Sequence, residues 1–296
     1  MHIALAQLNY HVGNFESNVA KVVHTIARAK EMGADLVVFS ELSICGYPPR
    51  DFLEFDDFIE KCEESIATIA ANCIGIAAII GAPCRNKTGK GKPLFNSAYF
   101  LACGNIRSVH HKSLLPNYDV FDEYRYFEPS TEVQSVNYKN TNIAITVCED
   151  LWNAGDNHLY TYCPMDHLAK QNPGLIVNIS ASPFSYTHRE ERLAVFSKNA
   201  SRYNVPLVFV NHVDAQTELI FDGGSFVINR EGKLAAELEY FKEDLKVFNL
   251  DVLPEKPELH SYMSKEQRIF SALSLPFPYS QNHNKRNPKY YKFQKI

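Results

Sequence analysis

Short runs of apolar residues alternate along the chain with segments in which apolar side chains recur every three or four positions. Runs such as Leu36–Phe39 and Leu175–Ile179 are continuous and rich in β-branched residues, which is typical of strands covered on both faces. Arg189–Asn204 instead has the spacing of an amphipathic helix. Strands outnumber helices, and several apolar strands are followed by a helix. We therefore predict a single α/β domain with two central, mostly buried sheets and helices on the outside.

The individual elements follow from the same periodicities. Strands are predicted at His2–Leu8, Leu36–Phe39, Gly75–Ala82, Asn96–Ala102, Ile106–His111, Val133–Tyr138, Thr141–Cys148, Leu175–Ile179, Leu207–Val213, Phe226–Ile228, Lys233–Leu238 and Lys246–Leu250. Helices are predicted from Asn14 to about Met32, and at Phe58–Asn72, His158–Gln171 and Arg189–Asn204. Composition changes near Pro254, so we expect one domain over residues 1–253 and a C-terminal extension over residues 254–296. The extension is expected to hold a helix at Ser264–Ser274 and to end in a basic tail at Lys285–Ile296.

Composition places the chain among ordinary soluble globular proteins. Of its 296 residues 45% are hydrophobic, and a net charge of −4 offers no general attraction to nucleic acid or an anionic membrane. No apolar run approaches the ~20 residues of a membrane span. The seven cysteines include no CxxC pair, which argues against a disulfide framework. We therefore expect a cytoplasmic protein without a signal segment, and neither nucleic acid nor membrane as a partner.

Metal and phosphate sites are not predicted either. The polar loop at residues 86–93 carries glycines but lacks the GxxxxGK[ST] pattern of a phosphate loop. His110 and His111 are adjacent, so they would point to opposite sides of a strand and could not share a metal ion. We therefore expect the protein to use no metal and no cofactor.

Cys148 ends an apolar strand and is followed at once by two carboxylates, Glu149 and Asp150. The carboxyl ends of strands in open α/β sheets are where ligands usually bind. Acidic neighbours raise the pKa of a thiol, so this cysteine would be a poor nucleophile alone. It needs a base and a cation from elsewhere in the chain.

Two other strand ends can supply those groups. Glu41 follows the apolar strand Leu36–Phe39, and Lys112 follows the strand that ends at His111. From local sequence, Glu41 fits either a simple ion pair or a carboxylate in a dry site, where desolvation would raise its pKa toward the range of a general base. Lys112 taken alone also fits an ordinary surface lysine.

The order Glu41, Lys112, Cys148 resembles the nitrilase, or carbon–nitrogen hydrolase, superfamily, and the resemblance covers about residues 1–252. Finer features resemble the glutaminase domains of glutamine-dependent NAD synthetases, and they lie at Phe39–Leu42, Gly46–Pro49, Asp51–Leu53, Lys112–Tyr118, Val120–Glu123, Val147–Trp152, Ala181–Phe184 and Glu218–Ser225. The resemblance implies a four-layer αββα sandwich.

The resemblance also implies a role for each candidate. Cys148 would attack the side-chain amide carbon of glutamine, and Glu41 would take the thiol proton and later give it to ammonia. Lys112 and the backbone N–H of Glu149 would stabilise the oxyanion, and a thioester would then be hydrolysed to glutamate. The positive charge of Lys112 is expected to offset the acidic neighbours of Cys148. Glu123 matches a second glutamate that orients the lysine and the substrate.

Substrate-binding residues follow from the same resemblance. Tyr118, Glu149 and Ser182 would surround the α-amino and α-carboxyl groups of glutamine. A basic residue shortly after the serine is also used in the family, and here either His188 or Arg189 occupies that position.

Several alternatives stay open at this stage. Full synthetases continue into an ATP-using domain with a Ser-Gly-Gly-x-Asp-Ser loop, and this sequence contains no such loop. The chain is therefore a separated glutaminase domain, a subunit that works with an NAD synthetase, or a free-standing amidase on another small ω-amide or carbamoyl compound. A catalytically silent scaffold with the same fold is a further alternative. The resemblance also implies a homo-oligomer.

Overall fold

The computed structural model describes residues 1–153, 160–253, 258–259 and 263–275. Its strands are β1 His2–Gln7, β2 Leu36–Val38, β3 Ala77–Arg85, β4 Leu94–Ala102, β5 Asn105–His111, β6 Val136–Tyr138, β7 Thr141–Val147, β8 Leu175–Ile179, β9 Leu207–Val210, β10 Val213–Gln216, β11 Leu219–Asp222, β12 Phe226–Ile228, β13 Leu234–Glu237, β14 Asp244–Asn249 and β15 Glu258–Leu259. Its α-helices are α1 Phe15–Glu31, α2 Asp56–Asn72, α3 Glu123–Tyr126, α4 Pro164–Leu168, α5 His188–Tyr203 and α6 Lys265–Ser274.

Two sheets form the centre of the molecule. One has the strand order β14-β1-β2-β3-β4-β5, and the other has the order β15-β13-β12-β9-β8-β7-β6. Their facing sides meet in one core, to which the first sheet contributes side chains such as Leu5 and Phe100 and the second contributes Val177 and Val208. Helices α1 and α2 cover the outer face of the first sheet, and α4 and α5 cover that of the second. This arrangement is the predicted αββα sandwich.

The direction of the strands brings several strand ends to one side of the sandwich. Strands β1, β2 and β3 are parallel, as are β7, β8 and β9. The segments after β2 and β8 touch, because the N–H of Glu41 donates to the carbonyl of Ser180 at 3.4 Å. The carboxyl ends of strands from both sheets therefore meet on this side, and strand carboxyl ends are where α/β sheets usually bind ligands.

The predicted strand Leu207–Val213 is wrong in its second half. Strand β9 ends at Val210, and Val213 begins a separate two-stranded ribbon of β10 and β11. The chain leaves the sheet at Asn211 and His212, whose buried side chains bond to the loop at Ser182 and to the carbonyl of Glu41. These long-range hydrogen bonds replace the continued strand.

The helix predicted at His158–Gln171 is shorter in the structure. Helix α4 begins at Pro164, which suits the first position of a helix because its missing N–H has no partner there anyway. A 3-10 turn at Ala169–Gln171 follows, and residues 158–159 lie outside the described residues.

The helix predicted in the C-terminal extension is present as α6. The hydroxyl of Ser264 caps it by accepting from the N–H of Gln267, whose side chain accepts from the N–H of Ser264 in return. The predicted basic tail at residues 285–296 lies outside the described residues. The extent of the two predicted domains stays a prediction.

Candidate active site

Lys112 lies between two carboxylates at this end of the sandwich. Its Nζ donates to Oε1 of Glu41 at 2.8 Å and to Oε2 of Glu123 at 2.8 Å. The side chains of Glu41 and Lys112 are fully inaccessible to solvent, and that of Glu123 is 5% exposed. The structure thus brings together three of the predicted site residues, and Lys112 is not a surface lysine.

Further donors complete the surroundings of the two carboxylates. Asn96, fully buried in β4, donates from Nδ2 to Glu41 at 2.7 Å and to Glu123 at 3.2 Å. The N–H of Ala181 donates to the other oxygen of Glu41 at 2.8 Å, and the hydroxyl of Tyr47 donates to Glu123 at 3.0 Å. Sequence reasoning did not single out Asn96 or Tyr47. A polar Asn at the start of an apolar strand was the available signal for Asn96.

The pKa values in this cluster depend on a single buried cation, Lys112, that lies between the carboxylates of Glu41 and Glu123. Burial lowers the pKa of Lys112, but Glu123 and Glu41 outweigh it and raise that pKa well above its ordinary value. Burial raises the pKa of Glu123 to about 7; the charge of Lys112 opposes this rise and that of Glu41 adds to it. Lys112 is therefore a permanent cation, whereas Glu123 changes its charge near neutral pH.

Cys148 sits at the sharp turn where β7 ends. Its backbone φ of 45° lies in the left-handed region, which costs a non-glycine residue free energy and is common at functional sites. A 3-10 turn at Cys148–Leu151 follows directly. The first N–H groups of such a turn, including that of Glu149, have no partner inside it, so they are suited to bind an anion.

The thiol of Cys148 is buried and lies within the field of the same charged groups. Burial raises its pKa well above the ordinary value, Glu41, Glu123 and Glu149 add to the rise, and Lys112 opposes it. The expected effect of the acidic neighbours is therefore present. Lys112 does lower the pKa of the thiol, as expected, but burial and the three carboxylates together outweigh it. The resting cysteine is a neutral thiol that needs a base.

Two tyrosine hydroxyls hold the buried carboxylate of Glu149. The hydroxyl of Tyr118 donates to both of its oxygens at 2.9 and 3.0 Å, and that of Tyr160 donates to one at 3.0 Å. Burial raises the pKa of Glu149. Burial and the nearby Glu149 raise the pKa of both tyrosines, so they remain protonated donors. Tyr160 was not predicted, and no local pattern marks it.

Ser182 lies on a buried loop that the side chain of Asn211 holds in place. The side chain of Asn211 accepts from its N–H at 2.8 Å and donates to its carbonyl at 3.0 Å. Asn211 itself was missed, because only the fold brings it to this loop.

The two candidate basic residues have different surroundings. Nδ1 of His188 lies 2.8 Å from the carbonyl of Pro183. Arg189 donates from Nε to Glu237 at 3.0 Å and from Nη2 at 2.7 Å. The other ring nitrogen of His188, Nε2, lies 3.8 Å from a carboxylate oxygen of Glu191. The bidentate contact of Arg189 with Glu237 is shorter than this one, so Arg189 is the more firmly engaged of the two.

The part of the chain that the structure describes contains no group of three metal-binding side chains. His110 is engaged by the hydroxyl of Ser108 and the carbonyl of Gln134. Across the same residues, no helix is long and apolar enough to cross a membrane.

The sandwich and its buried site define the class of protein as a nitrilase-fold hydrolase. The chain belongs to the carbon–nitrogen hydrolase family, whose family model matches residues 2–253.

Among its relatives is the glutamine-dependent NAD(+) synthetase of Synechocystis sp., 41% identical over 257 residues that cover 84% of this chain and 46% of that protein. The enzyme of the same name from Thermotoga maritima is 33% identical over 258 residues, covering 85% and 42%. The solved glutamine-dependent NAD+ synthetase of Acinetobacter baumannii has a TM-score of 0.83 at 30% identity and covers 92% of this chain and 50% of that one. The chain thus spans about half the length of these relatives.

An amidase from Nesterenkonia sp. shares the fold. It has a TM-score of 0.71 at 22% identity, over 83% of this chain and 89% of that one.

Proposed function

We propose that this chain is a glutamine amidohydrolase of the NAD-synthetase type, which hydrolyses glutamine to glutamate and ammonia. The observation that carries the proposal is the buried carboxylate of Glu149 beside Cys148. Two tyrosine hydroxyls hold it, and no salt bridge among the described residues includes it. A carboxylate without a basic partner favours a substrate with an ammonium group, as an α-amino acid has. The similarity to glutamine-dependent NAD synthetases supports the same substrate.

In the proposed reaction Cys148 is the nucleophile. Glu41 takes the thiol proton as the sulfur attacks the amide carbon, because the buried thiol is neutral at rest. Lys112 and the N–H of Glu149 stabilise the oxyanion of the tetrahedral intermediate. When the C–N bond breaks, Glu41 gives the proton to the departing nitrogen, which leaves as ammonia.

The second half of the reaction reverses these roles. Glu41 removes a proton from a water molecule, which attacks the thioester at the same carbon. The intermediate collapses, the C–S bond breaks, and Cys148 regains a proton from Glu41 as glutamate leaves. Glu123 keeps Lys112 directed at the oxyanion position throughout, since it accepts a hydrogen bond from Nζ.

We assign the α-ammonium group of glutamine to Glu149 and Tyr118. The α-carboxylate is assigned to Ser182 and His188, with Arg189 as the weaker candidate because Glu237 engages it.

The ammonia would serve an ATP-using NAD synthetase domain or subunit. We further propose a cytoplasmic homo-oligomer; all seven cysteines are free thiols, which supports a reducing compartment.

The test compares glutamine with amides that lack the α-amino acid group. We expect glutamine to be hydrolysed far faster than propionamide or an N-carbamoyl amine. Glu149→Gln should raise KM for glutamine by about tenfold or more, as loss of a charge-assisted contact does. The same variant should change the slow hydrolysis of propionamide much less, because propionamide has no ammonium group for Glu149 to bind. Rapid hydrolysis of propionamide or the carbamoyl compound, with none of glutamine, would contradict the proposal.

A further inference from the structure

Asp150 is a buried carboxylate for which the proposed reaction has no use. It is 4% exposed, and no salt bridge of the described residues includes it. Its Oδ1 accepts from the backbone N–H groups of Ser113 and Leu114, both at 2.9 Å. Its Oδ2 accepts from the N–H of Val147, also at 2.9 Å. Three backbone donors therefore converge on one side chain.

The donors belong to two distant parts of the chain, each beside a proposed catalytic residue. Ser113 directly follows Lys112, and Val147 directly precedes Cys148. Ser113 is 37 residues from Asp150 in sequence, so the carboxylate links the first sheet to the second. It also closes the turn in which Cys148 adopts its left-handed backbone conformation. A strained residue persists only where its surroundings over-determine it.

We propose that Asp150 is a positioning residue that holds Lys112 and Cys148 at their working separation; this inference rests on the proposed function. The nucleophile and the cation that stabilises its oxyanion come from different sheets, and the side chain of Asp150 bonds to the backbone next to both. A misplacement of about 1 Å at a reacting centre can cost about 100-fold in rate. Asp150 thus acts on the rate through Lys112 and Cys148, without touching the substrate.

The chemistry of the site requires a carboxylate. Two oxygens with free lone pairs can accept all three N–H groups. An asparagine has one accepting oxygen and would turn its NH₂ group toward either Val147 or the Ser113–Leu114 pair. Asp150→Asn therefore keeps the size of the side chain, loses at least one hydrogen bond and places two donors face to face.

The experiment measures kcat, KM and the thermal midpoint of Asp150→Asn, and the rate at which iodoacetamide alkylates Cys148. We expect kcat to fall by about 100-fold, KM to stay within about threefold, and the alkylation rate to change because the sulfur has moved. Asn142→Ala is the control, since it removes a half-buried hydrogen bond to the carbonyl of Gln171 at the far end of β7. It should lower stability but leave kcat unchanged.

A folded Asp150→Asn with wild-type kcat and alkylation rate would overturn the inference. The inference would also be overturned if kcat fell only in proportion to the fraction of Asp150→Asn that is unfolded. If Asp150→Asn does not fold, Asp150→Glu carries the test, because it keeps the charge and both acceptors but displaces them by one methylene. Alkylation needs no substrate, so this readout stands even if glutamine is not the substrate.

Discussion

At the scale of single residues, the site depends on how one cation is shared. Nζ of Lys112 contacts both Glu41 and Glu123, and Asn96 donates to the same two carboxylates. Two neighbouring carboxylates in a buried site repel each other, and the shared donors make their proximity tolerable. When Glu123 is protonated, it no longer balances the charge of Lys112, which then forms an ion pair with Glu41 alone.

This sharing predicts the pH dependence of the reaction. Since the pKa of Glu123 is raised to about 7, kcat/KM of the wild type should rise as the pH increases through about 7. In Glu123→Gln no proton leaves this position, so activity should be low and this acid limb should be absent. The dependence of kcat/KM on pH, measured for the wild type and for Glu123→Gln, shows whether this rise with pH is present in each protein. An unchanged limb in the variant would assign the titration to another group.

At the scale of elements, close packing sets the position of Glu41. Gly81 lies in β3 directly beside the segment after β2, where a Cβ atom would lie 2.3 Å from the backbone N of Leu42 and 2.7 Å from Cα of Glu41. His212 supports the same segment, because its ring nitrogen lies 2.6 Å from the carbonyl of Glu41. Burial lowers the pKa of His212 to about 4, so it is neutral and donates from Nε2.

Gly81→Ala should therefore displace Glu41. We expect a loss of stability of about 1–3 kcal/mol from overpacking, and a fall in kcat larger than the loss of folded protein explains. Chemical unfolding and steady-state kinetics give the two quantities. The matched control is Gly174→Ala, where the added methyl would lie 3.2 Å from Cγ2 of Thr141 and an ordinary 4.0 Å from the carbonyl oxygen of Asn142. Wild-type kcat in folded Gly81→Ala would show that this contact does not position Glu41.

The sequence allowed prediction of those features that leave a local pattern. Apolar runs marked most strands, and Glu41, Lys112 and Cys148 were singled out because each follows such a run. Hydrogen bonds between distant segments leave no such pattern. Asn96, Tyr160 and the break after Val210 were missed for this reason, and the partner of Arg189 became visible only when the fold placed Glu237 beside it.

At the scale of the whole molecule, the site lies on the joint between the two sheets. Glu41 and Lys112 come from the first sheet, and Cys148 and the loop at Ala181 come from the second. Two hydrogen bonds cross the joint: the N–H of Ala181 donates to Glu41, and the N–H of Ser113, which follows Lys112, donates to Asp150. Neither sheet alone contains the proposed nucleophile, base and cation, so the proposed activity requires the assembled sandwich.

The most direct test of this account is intact-protein mass spectrometry after acid quenching during turnover with glutamine. We predict a glutamyl adduct that peptide mapping places on Cys148, and neither adduct nor turnover in a folded Cys148→Ala variant. Glutamine hydrolysis that persists in Cys148→Ala, or an acyl group found on a different residue, would contradict the central claim that Cys148 is the nucleophile of a carbon–nitrogen hydrolase.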